Sequence, residues 1–108
     1  MTDVVGSRLL TLAPVEVAVA GTPEQVPTSG ATWAAKTVIL QALSTNEEPV
    51  VVGDKTVKAE AGAHGSAKQR GVELPAKATL AVEVNDSTQV WVDARKNKDG
   101  VAVTVLLL

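Results

Sequence analysis

Hydrophobic and polar residues alternate with a period of two along most of the chain. The alternation is clearest in four valine-rich segments, at 15–20, 78–85, 89–94 and 101–108. Three shorter runs with many β-branched residues lie at 36–43, 49–52 and 56–59. Because successive side chains of a strand point to opposite faces, this pattern predicts half-buried antiparallel strands.

Polar segments that contain Gly, Pro, Asn or Asp separate these predicted strands. They lie at 21–30, 44–48, 52–57, 60–71, 84–88 and 96–100. We interpret 21–30 as a long loop, and 60–71 as a loop that is flexible or ordered by a partner. The pairs Gly53-Asp54 and Asp99-Gly100 each predict a β-hairpin, because these residues tolerate the positive φ of tight turns.

Only residues 29–36, SGATWAAK, have helical character, and they could equally run extended into the next strand, so we predict coil. Six to eight short strands joined by frequent turns predict an all-β protein. The expected architecture is a single antiparallel β-sandwich or a jelly-roll-like barrel. The 108 residues are enough for one small domain.

The composition limits both the core and the partners. Valine and alanine supply most of the hydrophobic residues, and there is no Phe or Tyr. Such a core buries little area per residue, so self-association would help to stabilise it. The formal net charge of −2 and the presence of only two aromatic residues argue against a nucleic-acid partner.

The N-terminal segment does not have the pattern of a secretory signal. It lacks a basic start, and Glu16 interrupts its apolar stretch. No apolar run reaches the roughly 18 residues of a membrane helix. We therefore expect synthesis in a cytoplasm and no membrane partner.

Residues 93–100, DARKNKDG, contain the acidic and amide side chains of a candidate calcium loop. When Gly100 is aligned with the glycine of an EF-hand loop, Arg95 takes the first ligand position and Leu106 takes that of the bidentate glutamate. Neither side chain binds a cation, so a hairpin turn between two strands is the better interpretation. One histidine and no cysteine also rule out most transition-metal sites, and we predict no cofactor.

No residue pattern indicates an enzyme. His64 lies in a glycine-rich loop without a nucleophile motif, which favours a solvated side chain. Glu47 and Glu48 are adjacent in a turn, whereas the carboxylates of a glycosidase face each other across a groove. We therefore predict that the protein has no catalytic residues.

Four apolar residues are candidate interface residues: Trp33, Trp91, Leu106 and Leu108. Trp91 is predicted to point away from its neighbours Val90 and Val92. It would then either anchor a subunit interface or cover a second small core. The final strand ends in three leucines, so it is either central in a sheet or its outer face meets another chain.

The order of motifs in residues 36–108 resembles a group of small virion proteins of tailed phages. In that group a V-x-L-x-A strand and an Asn turn precede V-x-V-G, Gly-x-x-Leu-x-Pro and V-x-V-D-A segments and a Gly turn. The matching residues are Val38, Leu40, Ala42, Asn46, Val50, Val52, Gly53, Gly71, Leu74, Pro75, Val90, Val92, Asp93, Ala94 and Gly100. The chain departs from the pattern at Ala76, where glycine is usual, and in its last strand, which is leucine-rich and lacks an aromatic residue.

The resemblance implies a β-sandwich that binds a virion surface, most of all a capsid decoration (cement) protein. Such proteins are often homotrimers that bridge capsomers. The implied partners are the major capsid protein and further copies of this chain, on the capsid surface after synthesis in the host cytoplasm. Residues 36–108 would form the sandwich, and 1–35 a strand or extended N-terminal arm and a Pro/Gly loop that pack on neighbours. The alternatives are a structural head- or tail-fibre protein and a receptor- or glycan-binding tail module.

Overall fold

The computed structural model describes residues 8–26, 35–59, 69–84 and 89–107, and they form an antiparallel β-sandwich. The eight strands are β1 Arg8–Glu16, β2 Glu24–Val26, β3 Ala35–Ala42, β4 Val50–Gly53, β5 Val72–Leu74, β6 Thr79–Glu83, β7 Val90–Ala94 and β8 Gly100–Leu107. Sheet A has the strand order β1-β8-β3-β6, and sheet B has the order β2-β7-β4-β5. This confirms the predicted fold class.

The core lies between the two sheets and consists mainly of valine. Its fully buried members alternate along the central strands with residues that point outward, as the period of two predicts. They include Val38, Leu40, Val50, Val52, Val90, Val92, Val101, Val103 and Val105. The largest of these side chains is that of Leu40. A core of small side chains therefore holds the two sheets together.

The predicted N-terminal segment contributes one edge strand to each sheet. β1 pairs with β8 in sheet A, and β2 pairs with β7 in sheet B. β1 begins and ends earlier than the alternating segment 15–20 suggests. Its pairing with β8 runs from Arg8, opposite Leu107, to Glu16, opposite Gly100. Residues 1–7 and 27–34 of the segment lie outside the described residues.

Two short strands lie outside the segments predicted as strands. β2 falls inside the proline-rich segment 21–30, and β5 follows the glycine-rich segment 60–71. The predicted strand at 56–59 is reduced to one bridge between Lys58 and Arg70. Gly53-Asp54 therefore does not form the predicted hairpin. The chain turns after β4, but β4 pairs with β5 and β7 and not with residues 56–59.

The prediction of a hairpin at Asp99-Gly100 is also wrong, because the chain changes sheet between β7 and β8. β7 lies in sheet B and β8 in sheet A, so residues 95–99 cross the sandwich. The positive φ of this connection belongs to Lys98, at 73°, and not to Gly100. Two alternating strands joined by a polar turn have the same pattern whether they pair or pack face to face.

β8 is a central strand, with β1 on one side and β3 on the other. Its alternate residues Val101, Val103 and Val105 are buried in the core. Of the two explanations for the apolar final strand, the structure therefore shows the central position.

Candidate functional site

Every buried polar or charged residue in the described ranges lies between 93 and 99, at the end of β7 or in the connection to β8. Asp93 is 0%, Arg95 2% and Asp99 4% exposed. Buried charges are costly unless hydrogen bonds satisfy them, so their partners show what the segment DARKNKDG does.

Asp93 binds three backbone N–H groups. Its Oδ1 accepts from Gly21 at 3.1 Å and from Ala94 at 2.8 Å, and its Oδ2 accepts from Ala59 at 2.8 Å. Gly21 and Ala59 belong to two separate turns. The carboxylate therefore fastens both turns to strand β7.

Asp99 fastens a third turn, the one between β3 and β4. Its carboxylate accepts from the backbone N–H groups of Glu47 and Glu48, each at 3.0 Å. Beside it, the side-chain amide of Asn46 both donates to the Gly100 carbonyl and accepts from the Gly100 N–H, each at 2.9 Å. The Asn turn and the Gly turn of the sequence motif are thus one hydrogen-bonded unit.

Arg95 closes the network on the side of β5. Its guanidinium donates to the carbonyl of Pro49 at 3.1 Å, to the Gln69 amide oxygen and to a carboxylate oxygen of Glu73 at 2.5 Å. The Arg95 side chain is fully buried, whereas that of Glu73 is 33% exposed. A planar, multi-donor guanidinium suits this convergence of three acceptors.

We expect Arg95→Ala to lower the free energy of unfolding by about 2 kcal/mol. Three acceptors lose their donor, but solvent reaches Glu73, which keeps the loss below that of a fully buried pair. Lys96→Ala, at the exposed next position, is the matched control and should change stability by less than about 0.5 kcal/mol. Urea unfolding followed by circular dichroism measures both. Equally small effects of the two substitutions would show that the Arg95 hydrogen bonds do not stabilise the fold.

The carboxylates of this segment are occupied by backbone donors. N–H groups point at Asp93 and Asp99 from the positions where a cation would have to sit. Within the described residues, no group of three or more His, Asp or Glu side chains could hold a metal ion. The segment joins three turns of the sandwich.

Trp91 lies on the outer face of sheet B. It packs against a second small cluster of buried residues, formed by Val51, Val57 and Ala59. Its other side borders a shallow cavity of about 510 Å³ together with Gln25, Asp54 and Gln89. The half-buried indole therefore covers a second core, which was one of the two predicted roles.

Asp54, at the rim of the same cavity, is held by the turn that follows β4. Its carboxylate accepts from the hydroxyl of Thr56 at 2.6 Å and from the Thr56 N–H at 2.8 Å. These hydrogen bonds stabilise the charged form and lower the pKa of Asp54 below its ordinary value. They also fix the turn that carries Val57 beneath Trp91.

The structure does not bring the predicted interface residues together. Leu106 alternates with buried Val105, so it lies on the outer face of sheet A, on the opposite side of the sandwich from Trp91. Trp33, Leu108 and also His64 lie outside the described residues. A single contact surface cannot include both Trp91 and Leu106.

The outward side chains that the structure describes on sheet A are nearly free of charge. Its outward residues in the four strands are all exposed or half-buried: Leu9, Thr11, Glu16, Thr37, Ile39, Gln41, Thr79, Ala81, Glu83, Ala102, Thr104 and Leu106. Only the two glutamates are charged, and both lie at the margin. Leu9 is 69% exposed and pairs with Leu106. We call this set of residues the sheet A face.

The sheet A face was missed at the sequence level, although its signal is present there. Apart from Glu16 and Glu83, the described outward residues of β1, β3, β6 and β8 are Thr, Ala, Ile, Leu or Gln, where surface strands usually carry charges. The pattern forms a surface only once β1, β8, β3 and β6 are known to be neighbours.

No protein-family model, no curated protein and no solved structure matches this chain. Separately, the described part of the chain contains no helix with the length and apolar character needed to cross a bilayer.

Proposed function

We propose that this protein is a structural virion protein that decorates a phage capsid and stabilises it by bridging major capsid protein subunits. The observation that carries the proposal is the sheet A face, whose only charged members are two glutamates, on a chain with 20% charged residues. Depletion of charge is the compositional mark of the centre of a protein–protein interface. We assign the contact with the capsid protein to this face.

The chemistry of the buried network supports a structural role. Asp93, Arg95 and Asp99 are the buried ionisable residues of the described ranges, and each is bound to turns of the same chain. Their hydrogen bonds stabilise the fold. A protein that binds only the assembled lattice stabilises a shell by mass action, and rigid, well-joined turns suit that task.

The residues that carry the resemblance to phage virion proteins are positions of this sandwich. Val38, Leu40, Val50, Val90 and Val92 are core residues. A shared sandwich does not by itself imply a shared function. The assignment to a capsid therefore rests on the resemblance together with the sheet A face.

A bridging protein needs two contact surfaces. The sheet A face is one of them. The outer face of sheet B, with Trp91 beside its shallow cavity, lies on the opposite side of the sandwich and is the second. Contacts on both sides would let one chain join two capsid subunits.

We expect the purified protein to co-sediment with empty capsids assembled from the major capsid protein encoded in the same genome. Capsids with bound protein should also resist heat or chaotrope longer than bare capsids. Centrifugation through a sucrose gradient measures binding, and light scattering measures shell survival. Protein that stays at the top of the gradient but binds phage tails, cells or glycans would contradict the proposal in favour of a tail-associated module.

A charged residue at the centre of the sheet A face provides a sharper test. Thr104→Lys lies on central strand β8 between Thr11 and Ile39, and it should weaken capsid binding at least about tenfold because the charge is desolvated on contact. Lys96→Glu, at an exposed position of the connection between β7 and β8, changes the charge away from the outer faces of both sheets and should leave capsid binding unchanged. Equal binding by both variants would exclude the sheet A face as the contact.

A further inference from the structure

The four edge strands of the sandwich differ in how they are protected against pairing with another chain. β1 has a register shift between Leu12 and Val15 with Pro14 inside it, which distorts its free edge. β2 and β5 have three residues each and adjoin Pro23 and Pro75. Bulges, prolines and short length are the usual devices that prevent edge-to-edge association.

β6 has none of these devices. Thr79–Glu83 contains no proline, lysine or bulge, and its five residues pair with β3 in an unbroken register. In the described residues β3 is its only neighbour in the sheet. As far as the described ranges extend, one complete edge of sheet A is therefore open to a further strand.

The hydrogen-bonding groups of this open edge follow from its pairing with β3. The carbonyl of Ala78 accepts from the Ala42 N–H at 2.9 Å, so Ala78 directs this group toward β3. Because N–H and C=O groups alternate in direction along an antiparallel strand, Leu80 and Val82 also face β3. Thr79, Ala81 and Glu83 then direct both of their backbone groups outward.

An apolar groove runs beside the same edge. It has a volume of about 260 Å³ and lies where the short β5 fails to cover β6. Its apolar lining residues are Val52, Val72, Leu80, Val82, Val84 and Val90. Val72 remains 51% exposed, and the core-facing side chains of β6 are only half-buried. A strand added at β6 would extend sheet A over this groove and bury it.

We propose that the occupant is a second copy of this chain, with the two β6 strands pairing antiparallel about a two-fold axis at Ala81. In this register Ala81 faces Ala81, and Thr79 faces the second copy's Glu83. All outward N–H and C=O groups of the two strands are then satisfied. Leu80 lies opposite the second copy's Val82 on the core side, above the groove.

The charges and the size of the surface favour this self-pairing. Each Glu83 faces a threonine and not another glutamate, so no like charges oppose each other. From standard strand spacing, one sheet A face measures roughly 400 Å², and two joined at β6 give roughly the 800 Å² that a partner contributes to a standard interface. The pair therefore doubles the face, and the two Glu83 side chains are the charges near its centre. The size argument rests on the proposed function, whereas the pairing register and the charge argument do not.

Sedimentation equilibrium of the full chain tests this pairing. We expect a reversible dimer of twice the 11.1 kDa chain mass, observed between about 1 µM and 1 mM because a small edge contact gives a weak dimer. Ala81→Pro removes an outward N–H that β3 does not use, so the variant should fold and remain a monomer. Ala81→Lys should do the same through repulsion across the axis, whereas Ala81→Thr should still dimerise. Circular dichroism verifies that each variant is folded.

Charge variants at Thr79 test the register itself. Thr79→Lys places a lysine opposite the second copy's Glu83, and the two-fold axis produces this pair twice. The dimer should therefore tighten roughly 2- to 30-fold, whereas Thr79→Glu should weaken it by a similar factor. A wild-type monomer at all concentrations, a trimer as the resemblance implies, or a dimer that survives both Ala81→Pro and Ala81→Lys would overturn the proposal. Failure of capsid binding would leave it unaffected.

Discussion

Gly100→Ala is expected to destabilise the protein by at least about 3 kcal/mol, a large share of the roughly 5–15 kcal/mol that stabilise a typical domain. A β-carbon at this position would lie 2.0 Å from the carbonyl oxygen of Val15 and 2.8 Å from the Cα of Glu16. Both are backbone atoms of β1, so no side-chain rotation relieves the clash. β1 would have to move away from β8, and the bonds between Gly100 and Asn46 would be strained.

Thermal unfolding followed by circular dichroism measures this effect, which should lower the Tm by more than about 12 °C. Gly21→Ala is the matched control. Gly21 has a φ of +88° but no atom within 4 Å of a β-carbon, so it carries backbone strain without a clash and should cost only about 1 kcal/mol. If the two variants have the same Tm, close approach of β1 is not the reason for glycine at position 100.

Asp93→Ala should cost about 4 kcal/mol, since three N–H groups lose their acceptor in a site with no exposed surface. The turns at Gly21 and Ala59 would loosen together, although they are far apart in sequence. Amide hydrogen exchange should therefore accelerate at Gly21 and Ala59. Chemical denaturation supplies the loss of free energy, and exchange measured by NMR identifies where it arises.

Asp93→Asn separates the shape of the side chain from its hydrogen bonding. The amide keeps one acceptor for Gly21 and Ala94 but directs an NH₂ group at the Ala59 N–H, so the expected cost is about 2 kcal/mol. Asp54→Asn is the control, because that carboxylate also accepts from a backbone N–H but is exposed, so its cost should be clearly smaller than that of Asp93→Asn. Retention of full stability by Asp93→Ala would show that the network does not hold the turns.

The segment DARKNKDG shows how far sequence patterns reach. Its residues exclude an EF-hand calcium loop, because Arg95 stands at a ligand position. They do not reveal that Asp93, Arg95 and Asp99 are buried, because their partners are distant in sequence. Asp93 binds a residue 72 positions away, and Asp99 binds one 52 positions away. Asp, Asn, Lys and Gly occur both in turns and in this buried network, so the residue types do not distinguish the two.

The sequence pattern does not show which strands pair, for a related reason. β7 and β8 have the alternation of a hairpin, yet each pairs with strands from elsewhere in the chain. β2 and β5 are only three residues long, too short for a periodic signal, and they become strands because β7 and β4 supply hydrogen-bond partners.

The sequence by itself determined the fold class, five of the longer strands and the valines that face the core, because the period of two reports directly which side of a strand is buried. Tertiary structure alone decided which strands are neighbours, and hence the sheet A face, the open edge of β6 and the reason for glycine at position 100. Those features depend on atoms brought together from distant parts of the chain. Local periodicity carries no information about such contacts.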